Sequence, residues 1–173
     1  MSAALTVAYE SPRIRTASGG YFTFLSPRSS DVRIGDIAAS LSRLCRYTGQ
    51  LPDPDMHYSV AQHSVLVSHI VAPEYALWGL LHDAAEAYIG DVNSPLKSLL
   101  QDYRQVEHRV EQCVWGTFGL RGSLPMAVKK ADRLAFEMEY AQFFNDGYPH
   151  IVPLERREAR ILFLERAYEL GLI

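Results

Sequence analysis

The chain has 173 residues, 48% hydrophobic side chains and a formal net charge of −3, which is enough apolar material to bury one core. No apolar run has the length of a membrane helix and no secretory leader is evident, so we expect a cytoplasmic protein. The basic residues are scattered apart from Lys129-Lys130 and Arg156-Arg157, which argues against a nucleic-acid polymer as partner but allows a small charged substrate. Cys45 and Cys113 stand far apart and predict buried, reduced thiols.

Residues 1–30 predict an extension that carries a β-hairpin. Two short β-prone segments, Arg13–Thr16 and Tyr21–Leu25, flank the turn sequence Ser18-Gly19-Gly20. Residues 31–173 have apolar side chains at helical spacing, separated by Gly and Pro. The predicted helices are Asp36–Cys45, Tyr58–Val71, one continuous helix that opens at Pro73 and ends at Ile89, Tyr103–Phe118, Pro125–Asn145 and Glu155–Leu170. The sequence therefore predicts an all-α bundle with a short N-terminal hairpin.

Three ionisable residues, His82, Asp83 and Glu86, interrupt the apolar pattern of the predicted third helix. Burying an unpaired polar group costs roughly 2–7 kcal/mol, so a metal ion is the expected partner of the His-Asp pair. Consecutive helical residues point about 100° apart, and other helices must therefore supply further ligands. His63 and Asp132 are the candidates, because each stands among small and apolar residues.

Each of these residues alone has a simpler interpretation. A lone histidine on an apolar face is more often a hydrogen-bonded core residue, and a lone aspartate is more often a cap or a surface ion pair. Together, two imidazoles and two carboxylates from three helices form a mixed nitrogen and oxygen shell. Such a shell suits a divalent transition metal with open coordination positions.

The order of these residues and their local context resemble the HD-domain metal-dependent phosphohydrolases, and most closely the bacterial 5′-deoxynucleotidase branch. The resemblance covers about residues 36 to 140, and its segments are Gln62-His63-Ser64, Leu81-His82-Asp83-Ala84-Ala85-Glu86, Gly90-Asp91-Val92 with Pro95 and Lys97, and Lys130-Ala131-Asp132. It implies an HD-type helical bundle that holds one divalent transition metal, such as Co, Mn, Zn, Fe or Ni. The implied ligands are His63, His82, Asp83 and Asp132.

The same resemblance implies two catalytic carboxyl groups. Glu86 would orient or deprotonate the attacking water, and Asp91 would donate a proton to the leaving alkoxide. The alternatives are a solvated helix residue for Glu86 and a helix cap for Asp91. The neighbouring Ala84, Ala85 and Ala87 indicate room for a substrate beside Glu86.

Arg46 and Tyr47 resemble an arginine-aromatic pair that precedes the first metal-binding helix in this branch. A guanidinium binds phosphate through two hydrogen bonds, and a tyrosine ring suits a sugar or base face. Arg43 competes for the role of Arg46, and a surface salt bridge is the alternative for either. Lys97 is the remaining substrate-binding candidate.

Two departures from the pattern leave base and sugar specificity open. Gln62 stands where relatives in that branch commonly carry an acidic residue. The loop Thr48–His57 is longer and richer in proline than theirs. Within this loop, His57 is either a phosphate contact or an exposed histidine.

We therefore expect a phosphohydrolase of (deoxy)nucleotides, first of all a 5′-deoxynucleotidase acting on deoxynucleoside monophosphates. The alternatives are a phage-type triphosphohydrolase with a dATP-like substrate, a non-catalytic metal- or nucleotide-binding HD module, and a helical adaptor without metal. The resemblance also implies a homodimer. Phe143, Phe144, Tyr148 and Ile151 could form its contact or belong to the core.

Overall fold

The computed structural model describes residues 12–145, 147 and 151–173. These residues are mostly helical, with one short antiparallel sheet near the N-terminus. This confirms the predicted helical class and the hairpin. The strands are β1 (Arg13–Arg15) and β2 (Tyr21–Thr23), and the helices are α1 (Ile34–Leu41), α2 (Val60–Ile70), α3 (Ala76–Leu81), α4 (Glu86–Ile89), α5 (Ser94–Lys97), α6 (Gln101–Thr117), α7 (Met126–Phe144) and α8 (Arg156–Glu169).

The hairpin is fastened to the helices at two points. Its turn needs Gly19, whose φ of 90° lies in the region that favours glycine. Beside it, the backbone N–H and the hydroxyl of Ser18 donate to the two carboxylate oxygens of Asp36, at 2.6 and 2.8 Å. From β2, the fully buried Phe22 stacks on Tyr88 at 4.0 Å between ring centroids. The hairpin therefore packs against both α1 and α4.

Helix α2 lies at the centre of the bundle and contacts α1, α3, α7 and α8. The Ser59 hydroxyl caps its N-terminus by accepting from the backbone N–H of Gln62 at 3.2 Å. Helix α3 approaches it closely, because a Cβ added at Gly79 would lie 2.8 Å from the Cα of Ser68. With helices on several sides, even the polar His63 is fully buried.

The continuous helix predicted from Pro73 to Ile89 is wrong, because α3 ends at Leu81 and α4 begins at Glu86. The indole N–H of Trp115 donates to the Leu81 carbonyl at 2.9 Å, the carbonyl that an uninterrupted helix would bond to the amide four residues later. The chain continues with tighter turns, in which the N–H of Glu86 donates to the Asp83 carbonyl. Residues three apart share a face in such turns, so Asp83 and Glu86 lie on the same side.

The segment before α2 places Arg46 beside the start of that helix, since its N–H donates to the Tyr58 carbonyl at 2.8 Å. The next two residues, Tyr47 and Thr48, have φ of 58° and 56°. This left-handed conformation costs an L-residue about 1–2 kcal/mol, so other contacts must hold the loop.

Two expectations from composition can be compared with the fold. Across the described ranges, none of the helices combines the length and the apolar character needed to cross a lipid bilayer. Cys45 and Cys113 are free thiols, but both are half-buried and not fully buried as predicted.

Candidate metal centre and cleft

Three predicted ligands come together in the structure. His63 from α2, His82 from the turn after α3 and Asp132 from α7 each offer a ligand atom, and these atoms lie within 4.8 Å of one another. The Oδ1 atom of Asp132 is 3.1 Å from His63 Nε2 and 3.8 Å from His82 Nε2. These three side chains form a group that could hold a metal ion.

Asp83, the fourth predicted ligand, lies beside this group. Its Oδ2 atom is 3.2 Å from His82 Nε2 and 3.7 Å from His63 Nε2. Two carboxylates therefore face the same pair of imidazole nitrogens.

The hydrogen bonds of His82 show that the group fits a cation. Its Nδ1 lies 2.8 Å from the Gly79 carbonyl, which can only accept, so Nδ1 is the donor. In the neutral ring Nε2 then carries a lone pair, and this buried atom has no hydrogen-bond partner among the described residues. Nitrogen and carboxylate donors in this combination suit a divalent transition metal.

The charges in the cluster also favour a cation. Burial alone raises the pKa of a carboxyl group, but His82 outweighs it and lowers the pKa of Asp83 to about 2. For Asp132, burial is likewise outweighed by the hydrogen bond to His63 and by the charge of the neighbouring His82, and its pKa lies well below the ordinary value. Burial lowers the pKa of His82, yet Asp83 raises it well above its usual range. Both carboxyl groups are therefore ionised at neutral pH.

A cavity of about 970 Å³ opens beside the cluster. Seven of the predicted site residues line it, all except the buried His63 and His82: Arg46, Tyr47, Asp83, Glu86, Asp91, Lys97 and Asp132. The predicted catalytic, substrate-binding and metal-binding residues thus share one cleft.

The two predicted catalytic carboxyl groups both face this cleft. Glu86 is buried, so the alternative of a solvated helix residue is wrong, and its Oε2 has no hydrogen-bond partner in the described part of the chain. Burial, together with the charges of Asp83 and Asp91, raises the pKa of Glu86 well above its usual value. Burial also raises the pKa of Asp91, although Arg46 opposes this shift.

The alanines around Glu86 do not make room for a substrate, as the sequence had led us to expect. Ala84 and Ala85 are buried in the main hydrophobic core, and Ala87 packs against that core. Of the described residues that line the cleft, none is one of these alanines. The tight turns direct Glu86 to the cleft and its small neighbours inward.

The two cationic candidates are each held by a carboxylate. Arg46 is paired with Glu139, its Nη2 lying 3.2 Å from Oε2. Lys97 Nζ lies 2.5 Å from Glu107, which raises the lysine pKa although burial alone would lower it. Arg43 is exposed and donates to a backbone carbonyl of α1, and it is not among the described residues that line the cleft. Of the two arginines considered for a phosphate, Arg46 is therefore the one that lines the cleft.

Aromatic rings line part of the same cleft. The Tyr47 ring lies 6.0 Å from Phe136 and 5.2 Å from Phe144, between centroids. Phe144 thus belongs to the cleft. Phe143 is buried against Tyr58, with 5.0 Å between ring centroids.

The other two residues of the suggested dimer contact are Tyr148 and Ile151. Ile151 is half-buried, and Tyr148 lies outside the described residues. The homodimer stays a prediction.

Sequence reasoning missed Glu139, which is fully buried behind the cluster. Its Oε1 is 2.6 Å from His63 Nδ1 and accepts from the Tyr58 hydroxyl at 2.8 Å. Its Oε2 accepts from Arg46 Nη2 and from the Tyr47 hydroxyl, both at 3.2 Å. One carboxylate therefore contacts a candidate metal ligand and two residues of the cleft.

A signal for Glu139 was present in the pattern of α7. The buried residues of this helix recur at helical spacing, at Val128, Ala131, Ala135 and Glu139. A glutamate at a position of the buried stripe calls for a partner. It also lies two helical turns after Asp132, and so near the same face.

Two residues singled out in the sequence have structural partners. His57 is half-buried and its Nε2 donates to the Ser42 carbonyl at 3.0 Å, so it is not an exposed histidine, and it is not among the described residues that line the cleft. Gln62 donates to the Val152 carbonyl at 2.6 Å and accepts from the Leu154 N–H at 3.0 Å. Its amide therefore anchors the segment that leads into α8.

The fold and the cleft define a helical protein with a candidate metal centre. The chain is 36% identical over 172 residues to the uncharacterized protein YfdR of Escherichia coli (strain K12), which covers 91% of this chain and 95% of YfdR. It is also 36% identical over 129 residues to the uncharacterized protein RCAP_rcc00048 of Rhodobacter capsulatus, covering 70% of this chain and 65% of that protein. The chain therefore belongs to the family of YfdR. No protein-family model matches it.

Proposed function

We propose that this protein is a metal-dependent phosphohydrolase of HD type that removes phosphate from deoxynucleotides, first of all from deoxynucleoside monophosphates. One observation carries the proposal. Two cationic side chains, two carboxylates of the candidate metal cluster and two further carboxyl groups line the same cleft. A phosphate ester needs cations to bind it and carboxyl groups to move protons during its hydrolysis.

The proposed ligands of one divalent transition metal are His63, His82, Asp83 and Asp132. A metal in such a site supplies Lewis-acid chemistry, polarising a phosphoryl oxygen and acidifying water. All other steps fall to the side chains of the cleft.

Arg46 and Lys97 bind the phosphate in this proposal. The planar guanidinium of Arg46 can bind two phosphate oxygens at once, and Lys97 adds a point charge. Glu139 and Glu107 already hold these two side chains in place, so little conformational freedom is lost when a phosphate binds. The aromatic rings of Tyr47, Phe136 and Phe144 offer flat surfaces to a sugar or base.

Glu86 and Asp91 move the protons. A cation held by the four proposed ligands would lower the raised pKa of Glu86, and the ionised Glu86 accepts a proton from the water whose oxygen attacks phosphorus. The bond between phosphorus and the 5′ oxygen breaks, and orthophosphate is one product. The protonated carboxyl group of Asp91 gives its proton to the alkoxide, which leaves as the 5′ hydroxyl of the nucleoside.

The test is a screen of deoxynucleoside mono- and triphosphates with the protein loaded separately with Co²⁺, Mn²⁺ or Zn²⁺. We expect orthophosphate from the monophosphates. Glu86→Gln should lower kcat by about a hundred- to ten-thousand-fold and keep the metal. Glu165→Gln, at an exposed position of α8, is the matched control and should keep the wild-type rate.

Three results would overturn parts of this proposal. Release of inorganic triphosphate from triphosphates alone would replace the monophosphate assignment with that of a triphosphohydrolase. Loss of metal from Glu86→Gln would make Glu86 a ligand. No product from any nucleotide with any of the metals would refute the enzymatic function and favour a binding module.

A further inference from the structure

We infer that Glu139 is a positioning residue that couples the candidate metal ligand His63 to the loop that carries Arg46 and Tyr47. The inference rests on the proposed function, from which it takes metal binding at the cluster and phosphate binding at Arg46. It adds that these two events influence each other through one buried carboxylate.

The division of contacts between the two oxygens of Glu139 is the first step. Oε1 contacts His63 and Tyr58, whereas Oε2 contacts Arg46 and Tyr47. The side chain is fully buried, and a buried charge is tolerated only with such partners. Because the two oxygens belong to one rigid carboxylate group, a rotation or shift of this group changes both sets of contacts.

Toward the cluster, Glu139 determines the orientation of His63. The imidazole Nδ1 lies 2.6 Å from Glu139, and its Nε2 lies 3.1 Å from Asp132. When Nδ1 donates to a carboxylate, Nε2 keeps its lone pair for a metal. The Glu139 carboxylate also fixes the plane of the His63 ring and raises the basicity of this ligand.

Toward the loop, Glu139 helps to hold a strained backbone. Tyr47 and Thr48 both have positive φ, a backbone conformation that is unfavourable for L-residues. The Tyr47 hydroxyl is bonded to Glu139, and the Arg46 guanidinium lies 5.7 Å from the centre of the Tyr47 ring. A shift of the carboxylate would therefore loosen the loop and misplace the arginine.

The consequence is a reciprocal linkage. A metal that fixes His63 also fixes Glu139 and so restrains the loop at residues 46–50. Whatever coupling free energy links metal binding to phosphate binding must act in both directions. This linkage can be measured without any turnover.

The experiment uses Co²⁺ as the probe and hydrogen exchange of residues 46–50 as the readout, in the full chain with and without the metal. In the wild type we expect Co²⁺ to slow this exchange. Glu139→Gln should weaken Co²⁺ binding about 10- to 100-fold and, at saturating Co²⁺, lose the slowing in the loop. Glu137→Gln, an exposed glutamate on the same helix, is the control and should keep both.

A second variant separates positioning from general loss of stability. Tyr47→Phe keeps the ring and the contact between Glu139 and His63, but removes one bond on the loop side. We expect a Co²⁺ affinity near that of the wild type and a smaller slowing of hydrogen exchange in residues 46–50 by Co²⁺. Equal protection of residues 46–50 by Co²⁺ in the wild type and in these two variants overturns the coupling.

The outcome is distinguishable from that of the nucleotide screen. Coupling with no phosphate release refutes only the proposed function, and phosphate release without coupling refutes only the role of Glu139. Failure of the wild type to bind any of Co²⁺, Mn²⁺ and Zn²⁺ refutes both.

Discussion

Bound metal should stabilise the folded protein by an amount that increases with metal concentration, so removal of the metal should lower the stability. The cluster brings ligand atoms from three parts of the chain within 4.8 Å of one another, and such a set forms only in the folded chain. A ligand that binds only the folded state at a hundredfold excess over its Kd adds about 2.7 kcal/mol. For a chain of this length, 1 kcal/mol moves Tm by about 2–4 °C. We therefore expect a fall of about 5–11 °C after chelation.

The assay is calorimetric unfolding of the chelated protein at increasing concentrations of Zn²⁺, Co²⁺ or Mn²⁺, with elemental analysis of the loaded sample. His82→Ala removes a ligand atom and should abolish the dependence of Tm on metal. His108→Ala is the matched control, because that side chain is 73% exposed on α6. A His82→Ala protein that keeps the full rise in Tm would refute the ligand assignment. A wild-type protein whose Tm responds to none of the three metals would refute the metal centre.

Arg46→Lys should keep the metal but raise KM about tenfold or more, since a charged hydrogen bond contributes roughly 1.5–3 kcal/mol; wild-type kinetics would move the phosphate contact to Lys97. Burial and the charge of Glu107 raise the pKa of Glu111 to about 7 from 4.5, so the folded state binds the proton more tightly and wild-type stability should fall as pH rises through this range. Glu111→Gln should remove that fall and be more stable than the wild type by about 1 kcal/mol at pH 8, allowing for solvent screening. Urea unfolding that gives the same change in the free energy of unfolding between pH 5 and pH 8 for both proteins would contradict this. Gly79→Ala places a Cβ 2.8 Å from the Ser68 Cα and should destabilise the protein by about 1–3 kcal/mol, so an unchanged urea midpoint would show that α2 and α3 tolerate more separation.

The helices could be predicted because apolar spacing and Pro or Gly breaks are local signals. The interruption after Leu81 could not, because the backbone of His82 keeps helical angles, with φ −60° and ψ −39°. What changes is the hydrogen bonding of the Leu81 carbonyl, which accepts from the Ala84 N–H at 3.1 Å and from the indole N–H of Trp115. Trp115 lies 34 residues further along the chain than Leu81.

The site shows the same limit. His63, His82, Asp83 and Asp132 were predicted as ligands from their types, their apolar surroundings and the family resemblance, and the structure brings His63, His82 and Asp132 within metal-binding distance. Glu139 was not predicted because its role depends on partners that the fold delivers from distant parts of the sequence.

The spread of the cluster along the chain has a kinetic consequence. His63 is 69 residues from Asp132 and 76 residues from Glu139. An unfolded chain rarely closes such loops, so the ligands meet only after α2 and α7 have docked. An interaction that forms after the transition state changes the unfolding rate and leaves the folding rate nearly unchanged. A bound ion should therefore set how long the native state lasts, and not how fast it is reached.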